Sequence, residues 1–169
     1  MNPIQIVPYN REKAVDYAHT WAFRRNPSFS DFSALGGNCT NFISQCVYAG
    51  SGIMNFRSVF GWYYRSMNDR SPSWTGVEYF NNFLQRREEN VGPFAEESDI
   101  FSVEMGDVIQ LRFHGNQVFS HSLLVVEKRQ GRALSNILIA TNSDDSNHRP
   151  LSTYTAAEYR PLHVLGLRK

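Results

Sequence analysis

A cysteine set at the start of a predicted helix, behind a pair of glycines, carries the most chemistry in this chain. The stretch is Gly36-Gly37-Asn38-Cys39-Thr40-Asn41-Phe42-Ile43. A thiol in the first turn of a helix feels the positive end of the helix dipole and the unpaired N–H groups there. Both favour the thiolate, which is the attacking form. Cys39 is therefore either a packed structural residue or a nucleophile. A nucleophilic cysteine needs a base within hydrogen-bond reach, and the base needs a group to orient it. His19 falls beside Trp21 on a predicted helix, His114 in a turn, His148 in a polar loop before Arg149-Pro150, and His163 at the start of the last predicted strand. His121 is different. It lies inside a predicted strand, in phase with Phe119, Leu123 and Val125, on the face taken for the core face. At the exposed end of that face it can point at a helix N-terminus docked on the sheet, although a histidine so placed is more often a satisfied core residue than a base. Asn142 directly follows a further predicted strand, and its side-chain oxygen can hold an imidazole N–H and fix the tautomer. Asp144 is a workable substitute, and the plain reading of residues 142–147 is a turn.

These groups must be delivered by the elements around them. Asn10 reads as the N-cap of a helix from Arg11 to about Arg25, with Ala14, Tyr17, Ala18 and Trp21 at helical spacing and Asn26-Pro27 as its end. A second helix runs from Cys39 to about Tyr48, buries Phe42, Ile43, Cys46 and Val47, and stops at Gly50 and Gly52. Residues 53–74 are irregular and aromatic. Thr75 with Glu78 fits a capping box for a third helix, Gly76 to about Glu88, and Glu88 to Phe101 reads as loop. The period then changes to two. Strands are expected at Asp107–Phe113, Phe119–Glu127 and Asn136–Thr141, followed by a short helix over Tyr154–Arg160 and a last strand over Leu162–Leu167. Helices first and antiparallel strands second give an α+β class in one domain, 1–169. Its helical part, about 1–100, packs on one side of a sheet built from about 101–169.

Composition removes several function classes. Net charge is +1, from 17 Lys and Arg against 16 Asp and Glu, with no long run of one sign. Nucleic acid or an anionic membrane as main partner would want a basic patch. No apolar run approaches the roughly 20 residues of a membrane span. The N-terminus lacks the basic and apolar segments of a signal peptide, so the chain as given is expected in the cytoplasm, with export of a longer precursor left open. Cys39 and Cys46 are seven residues apart on one helix. That spacing corresponds to about 10 Å, beyond the roughly 7 Å a disulfide spans. Aromatic residues make up 14% of the chain. Trp62, Tyr63 and Trp74 are candidates for a substrate groove, with core packing as the competing reading. Asp144-Asp145 with His148 lacks a second cluster at ligand spacing, so no metal and no cofactor are expected.

The block from Gly36 to Cys46 closely resembles the signature of the bacterial putative amidase domain family, allied to NlpC/P60 and papain-like cysteine peptidases. Tyr9 to Val15, Trp21 with Asn26-Pro27, Gly61-Trp62-Tyr63-Tyr64, Ser71-Pro72-Ser73-Trp74, Gly106 to Gln110, His121-Ser122, and Asn142 with Asp145, Ser146, Arg149 and Pro150 extend the resemblance in order along nearly the whole chain. It implies a papain-like α+β fold with Cys39 as nucleophile, His121 as base and Asn142 as third member. It further implies acyl transfer on an amide, with a bacterial cell-wall peptide as substrate class and partner. Two positions depart from the family pattern. Asn38 stands where Asp is usual, and Asn142 where His is frequent. The readings that compete with an amidase are a catalytically silent binding or scaffolding domain, and a protein-amide transferase or hydrolase using the same triad. The oligomeric state is not legible.

Overall fold

The computed structural model describes residues 3–169. After a short strand, β1 (Ile6–Val7), the Asn10 side chain accepts the Lys13 N–H and starts helix α1 (Arg11–Trp21). Helix α2 (Cys39–Ser51) runs past Tyr48, because Gly50 is a packing residue rather than a stop. A Cβ at Gly50 would meet Tyr9 Cε2 at 2.4 Å and the Asn10 carbonyl oxygen at 2.7 Å, so only glycine lets the start of α1 close on α2. The stop is Gly52, at φ 65, whose N–H bonds the Tyr48 carbonyl.

The aromatic segment that follows forms a small hairpin, β2 (Tyr64–Ser66) with β3 (Asp69–Arg70), then a one-turn helix α3 (Pro72–Thr75) and helix α4 (Val77–Leu84). The capping box expected at Thr75 and Glu78 is not formed. Thr75 closes α3, Gly76 is the junction, and Glu78 pairs with Arg160 at 3.0 Å. Helix α4 ends before Glu88 because the Arg86 guanidinium gathers the carbonyls of Phe83, Asn90 and Pro93 and turns the chain.

Two stretches expected as loop or helix are strands. Glu88 to Phe101 contains β4 (Gly92–Glu97), and Tyr154–Arg160 leads into the 13-residue strand β9 (Ala156–Arg168). Between them lie β5 (Val108–Phe113), β6 (His121–Lys128), β7 (Ile137–Thr141) and β8 (Ser146–Pro150). Ala156, Ala157 and Glu158 favour helix locally, but Ala156 to Leu162 pairs along β5, and Leu162 pairs with both Val108 and Glu97. Long-range pairing overrides the local preference. The antiparallel sheet has the order β1-β9-β5-β6-β7-β8, with β4 on β9, so strands from the expected helical part contribute to it.

The sheet is buried on both faces. Val108, Leu124, Val126, Leu138 and Ala140 face α1, α2 and the aromatic segment. Ile109, Leu111, Leu123, Val125, Ile137 and Ile139 form a second core with Val103 and Leu151. Strand β6 therefore reads Leu123-Leu124-Val125-Val126 without alternation, as doubly covered strands do. The helices do pack on one face of the sheet. The Leu123 and Val125 phase shared by His121 belongs to the other core.

Candidate active site

Gly36 and Gly37, at φ 101 and 115, turn the chain into α2 through backbone angles that side chains resist. Asn38 then organises the approach. It is 1% exposed, and its side chain makes no cap bond to the helix. Its Oδ1 instead accepts Phe32 N–H at 3.0 Å and Asn41 Nδ2 at 2.8 Å. Its backbone N–H donates to Ser143 Oγ at 2.7 Å, and its Nδ2 donates to Asn142 Oδ1 at 3.0 Å. One residue thus ties the glycine loop, the first turn of α2 and the turn after β7. The neighbouring Thr40 Oγ1 lies 2.9 Å from Ser122 Oγ and docks the first turn of α2 on the second residue of β6.

Cys39 is the first residue of α2 and is 8% exposed. Its Sγ lies 3.8 Å from Thr40 Oγ1. Burial pushes the thiol above its ordinary pKa, and the backbone N–H of Ser122 with the Thr40 hydroxyl and first-turn amides recovers only part of that. The helix-terminus argument for a thiolate is thus outweighed by desolvation, which disfavours the charged form. Cys46 is a second free thiol, fully buried one face inward, with its pKa pushed well up.

His121 opens β6 beside Ser122 and is 9% exposed. Its ring packs between Phe113, at 6.3 Å between centroids, and Tyr154, at 5.8 Å. Burial, reinforced by Arg149 and partly opposed by Asp144, pushes it down to about 4. Among the described residues, no hydrogen bond joins His121 to Cys39 or to Asn142. Asn142 is committed elsewhere: Oδ1 accepts from Asn38 and Nδ2 donates to the Ala22 carbonyl at 2.8 Å. The structure therefore brings Asn142 to the residue before the cysteine, and His121 to the strand position beside Ser122.

Tyr154 escapes the sequence reading. Its ring packs on His121 and carries the Arg149 guanidinium at 3.9 Å on its face, and burial raises its pKa with Cys39 among the contributing charges. Arg149 in turn pairs with Asp144 at 2.7 Å. Strand β8 carries Arg149, with Asp144 in the turn before it and Tyr154 just after the short helical turn Leu151–Thr153 that follows it, and only the chemistry-rich run Asp144 to Arg149 hinted at this cluster. Of the other histidines, His163 pairs with the buried Asp107 at 2.8 Å, and His19 stacks on His148 at 4.6 Å.

The expected groove is not built from Trp62 and Trp74. Both are fully buried, with their indole N–H groups donating to Ser44 Oγ and Asn41 Oδ1 at 3.0 Å each. They fill the space between α2 and α4, packed against each other with Trp62 stacked on Phe80 and Phe83 and Trp74 on Phe29, which is where large apolar rings gain most from burial. Tyr63 is half-buried against Phe56. Two surface hollows, about 490 and 430 Å³, are lined by neither Cys39, His121 nor Asn142. No group of three or more His, Cys, Asp or Glu side chains suited to a metal occurs among the described residues, and no helix there is long and apolar enough to cross a membrane.

Among curated proteins the chain is similar to Uncharacterized protein YhbB of Bacillus subtilis (strain 168), at 33% identity over 157 residues. The match covers 90% of this chain and 47% of that protein, so the chain spans about half the length of the curated relative it matches. No solved structure matches it. The family model described as Putative amidase domain matches residues 8–165. That span takes in α1, the Cys39 helix, His121 and most of β9, and on it the chain belongs to the putative amidase domain family.

Proposed function

We propose that the protein is a cysteine-dependent amide hydrolase of papain-like type, with Cys39 as nucleophile and His121 as proton acceptor. A peptide is the substrate, and a bacterial cell-wall peptide is the class the sequence resemblance favours. The observation that carries this reading is the meeting of the first turn of α2 with the first residues of β6. It sets the buried Cys39 thiol against the Ser122 N–H, one residue from an imidazole with no hydrogen-bond partner among the described residues. With the thiol pushed up and the imidazole pushed down, the resting pair is neutral. His121 takes the thiol proton as sulfur attacks the amide carbonyl, rather than holding a preformed ion pair. The resulting imidazolium is a strong acid in its buried site and delivers that proton to the leaving amine. Water, losing its proton to His121, then releases the thioester. The Cys39 backbone N–H is an oxyanion donor at the helix start. Asn142 acts one step removed, holding Asn38 and through it the loop that presents the cysteine.

The competing reading is a binding domain without turnover. The absence of a Cys39–His121 hydrogen bond among the described residues and the commitment of Asn142 to Asn38 favour it. Incubation with muropeptides and with a peptide library, read by mass spectrometry, separates the two. Cleavage that disappears in Cys39→Ser and His121→Ala, with a trapped acyl-enzyme on Cys39, supports the hydrolase. Cleavage that survives in Cys39→Ser, or binding without cleavage at every peptide, supports the alternative.

A further inference from the structure

The two hollows adjoin, and Arg57 and Asn90 line both. They flank the loop from Asn55 to Trp62 and share no residue with the Cys39 site. That loop is rigidly held. Asn55 and Trp62 exchange backbone hydrogen bonds at 2.9 and 2.7 Å, and Asn55 Nδ2 bonds Asn90 Oδ1 and the Val91 carbonyl. Gly61 is obligatory, since a Cβ there would fall 2.3 Å from the carbonyl oxygens of Arg57 and Asn55.

At the loop tip Val59 adopts φ 65, and the Phe60 N–H reaches back to the Ser58 carbonyl at 2.7 Å. This is the rare positive-φ γ-turn, on a β-branched residue that resists it. Such strain persists where the surroundings over-determine it, and it concentrates at binding sites. Its effect here is to hold apolar groups in water. Val59 is 61% exposed, Phe60 77% and Tyr79, across the larger hollow, 62%. On the other side of Arg57, the second hollow offers Met54, Phe56 and Val91.

Charge sets the occupant. The Arg57 guanidinium meets no carboxylate and no ring among the described residues. Arg86 behind it spends its N–H groups on backbone carbonyls, and Arg168, Arg86 and Arg57 crowd one region with Glu88 as the opposing charge. Burial and those like charges press Arg86 down to about 10. A carboxylate arriving at Arg57 would relieve that excess and gain a fork-shaped donor.

We propose that this double hollow is a peptide-binding site, separate from the Cys39 site, that takes a carboxylate side chain on Arg57 and an apolar side chain in the hollow on either side. The inference does not rest on the hydrolase reading. The test uses acetyl-Leu-Glu-Leu-amide and acetyl-Leu-Gln-Leu-amide as probes, titrated into the ¹⁵N-labelled full chain carrying Cys39→Ala so that cleavage cannot remove them. The glutamate probe is expected to shift amides in 54–61 and 79–91, and the glutamine probe to bind at least tenfold more weakly. Arg57→Ala, whose lost guanidinium holds nothing in place, should reduce the glutamate probe to the glutamine level, and Arg57→Lys should restore part of the difference. Equal binding of the two probes, shifts centred on residues 39 and 121, or no shift at millimolar probe would overturn the proposal.

Discussion

Asn38→Asp tests whether the cysteine loop is held by the Asn38–Asn142 contact. Asn38 is buried and its Nδ2 is the donor to Asn142 Oδ1. An aspartate keeps the shape and still accepts from Phe32 and Asn41, but when ionised it turns an acceptor toward the Asn142 oxygen. The lost hydrogen bond and the acceptor left facing an acceptor cost about 1–3 kcal/mol, and the buried charge adds to that. A loss of about 3 kcal/mol is expected at pH 8. With a urea slope of about 2 kcal/mol per molar, the midpoint falls by about 1.5 M. Crowding against Asn142 raises the folded-state pKa of the introduced carboxyl above its unfolded value. The folded chain then holds the proton more tightly, and the protonated acid donates to Asn142 Oδ1. Most of the loss should therefore vanish near pH 4 and grow as pH rises through the folded pKa. Adding Asn142→His supplies an N–H toward that carboxylate and should return about 1–3 kcal/mol beyond additivity. An Asn38→Asp midpoint equal to wild type at pH 8, or a double variant no better than the sum of the singles, would refute the reasoning.

His121 should make stability fall in acid. Its folded pKa, about 4, lies below the ordinary 6.5, so between those values the unfolded chain binds the extra proton and stability drops as pH falls. The full effect is about 3 kcal/mol, and urea melts from pH 7 to 4 should show that much less acid loss in His121→Gln. If both chains lose stability in parallel over that window, the neutral buried imidazole is wrong. Gly50→Ala should cost about 1–3 kcal/mol and lower the thermal midpoint. The added methyl meets the Asn10 carbonyl as well as a movable Tyr9 ring, so an unchanged midpoint would mean that α1 shifts freely on α2.

What could be read along the chain was what neighbours in sequence decide. Asn10 and Lys13, Cys39 and the first turn, and the alternation of Val108 to Phe113 all express local hydrogen bonding or local periodicity, and each produces its element. Strand β4 and the first half of β9 carry no such signal. Glu96 and Glu97 are exposed, and Ala156 to Glu158 prefer helix. They are strands because Leu162 has partners on both sides, Val108 and Glu97, that are remote in sequence. Trp62 and Trp74 mislead for the same reason. Sited in a stretch without periodicity, they look like groove lining until α2 and α4 close over them and their N–H groups find Ser44 and Asn41.

The face of His121 turns on a subtler point. Phase along β6 divides its residues into two sets correctly, but a strand with apolar residues in both sets does not say which set meets the helices. Ser122, through Thr40, answers that: the even positions face α2. His121, in the opposite phase to Ser122, consequently lies at the start of β6 with Phe113 and Tyr154 as its walls, and not on the helix-covered face. The same geometry explains why Asn142, which continues β7 in phase with Ala140 on the helix-covered face, meets Asn38 instead of the imidazole. The three residues read from the sequence thus fall into two arrangements in space: Asn142 pairs with Asn38, the residue before Cys39, and His121 is walled by aromatic rings. Changes at Asn38 or Asn142 should accordingly move stability and Cys39 accessibility together, while changes at Phe113 or Tyr154 should move the titration of His121 first.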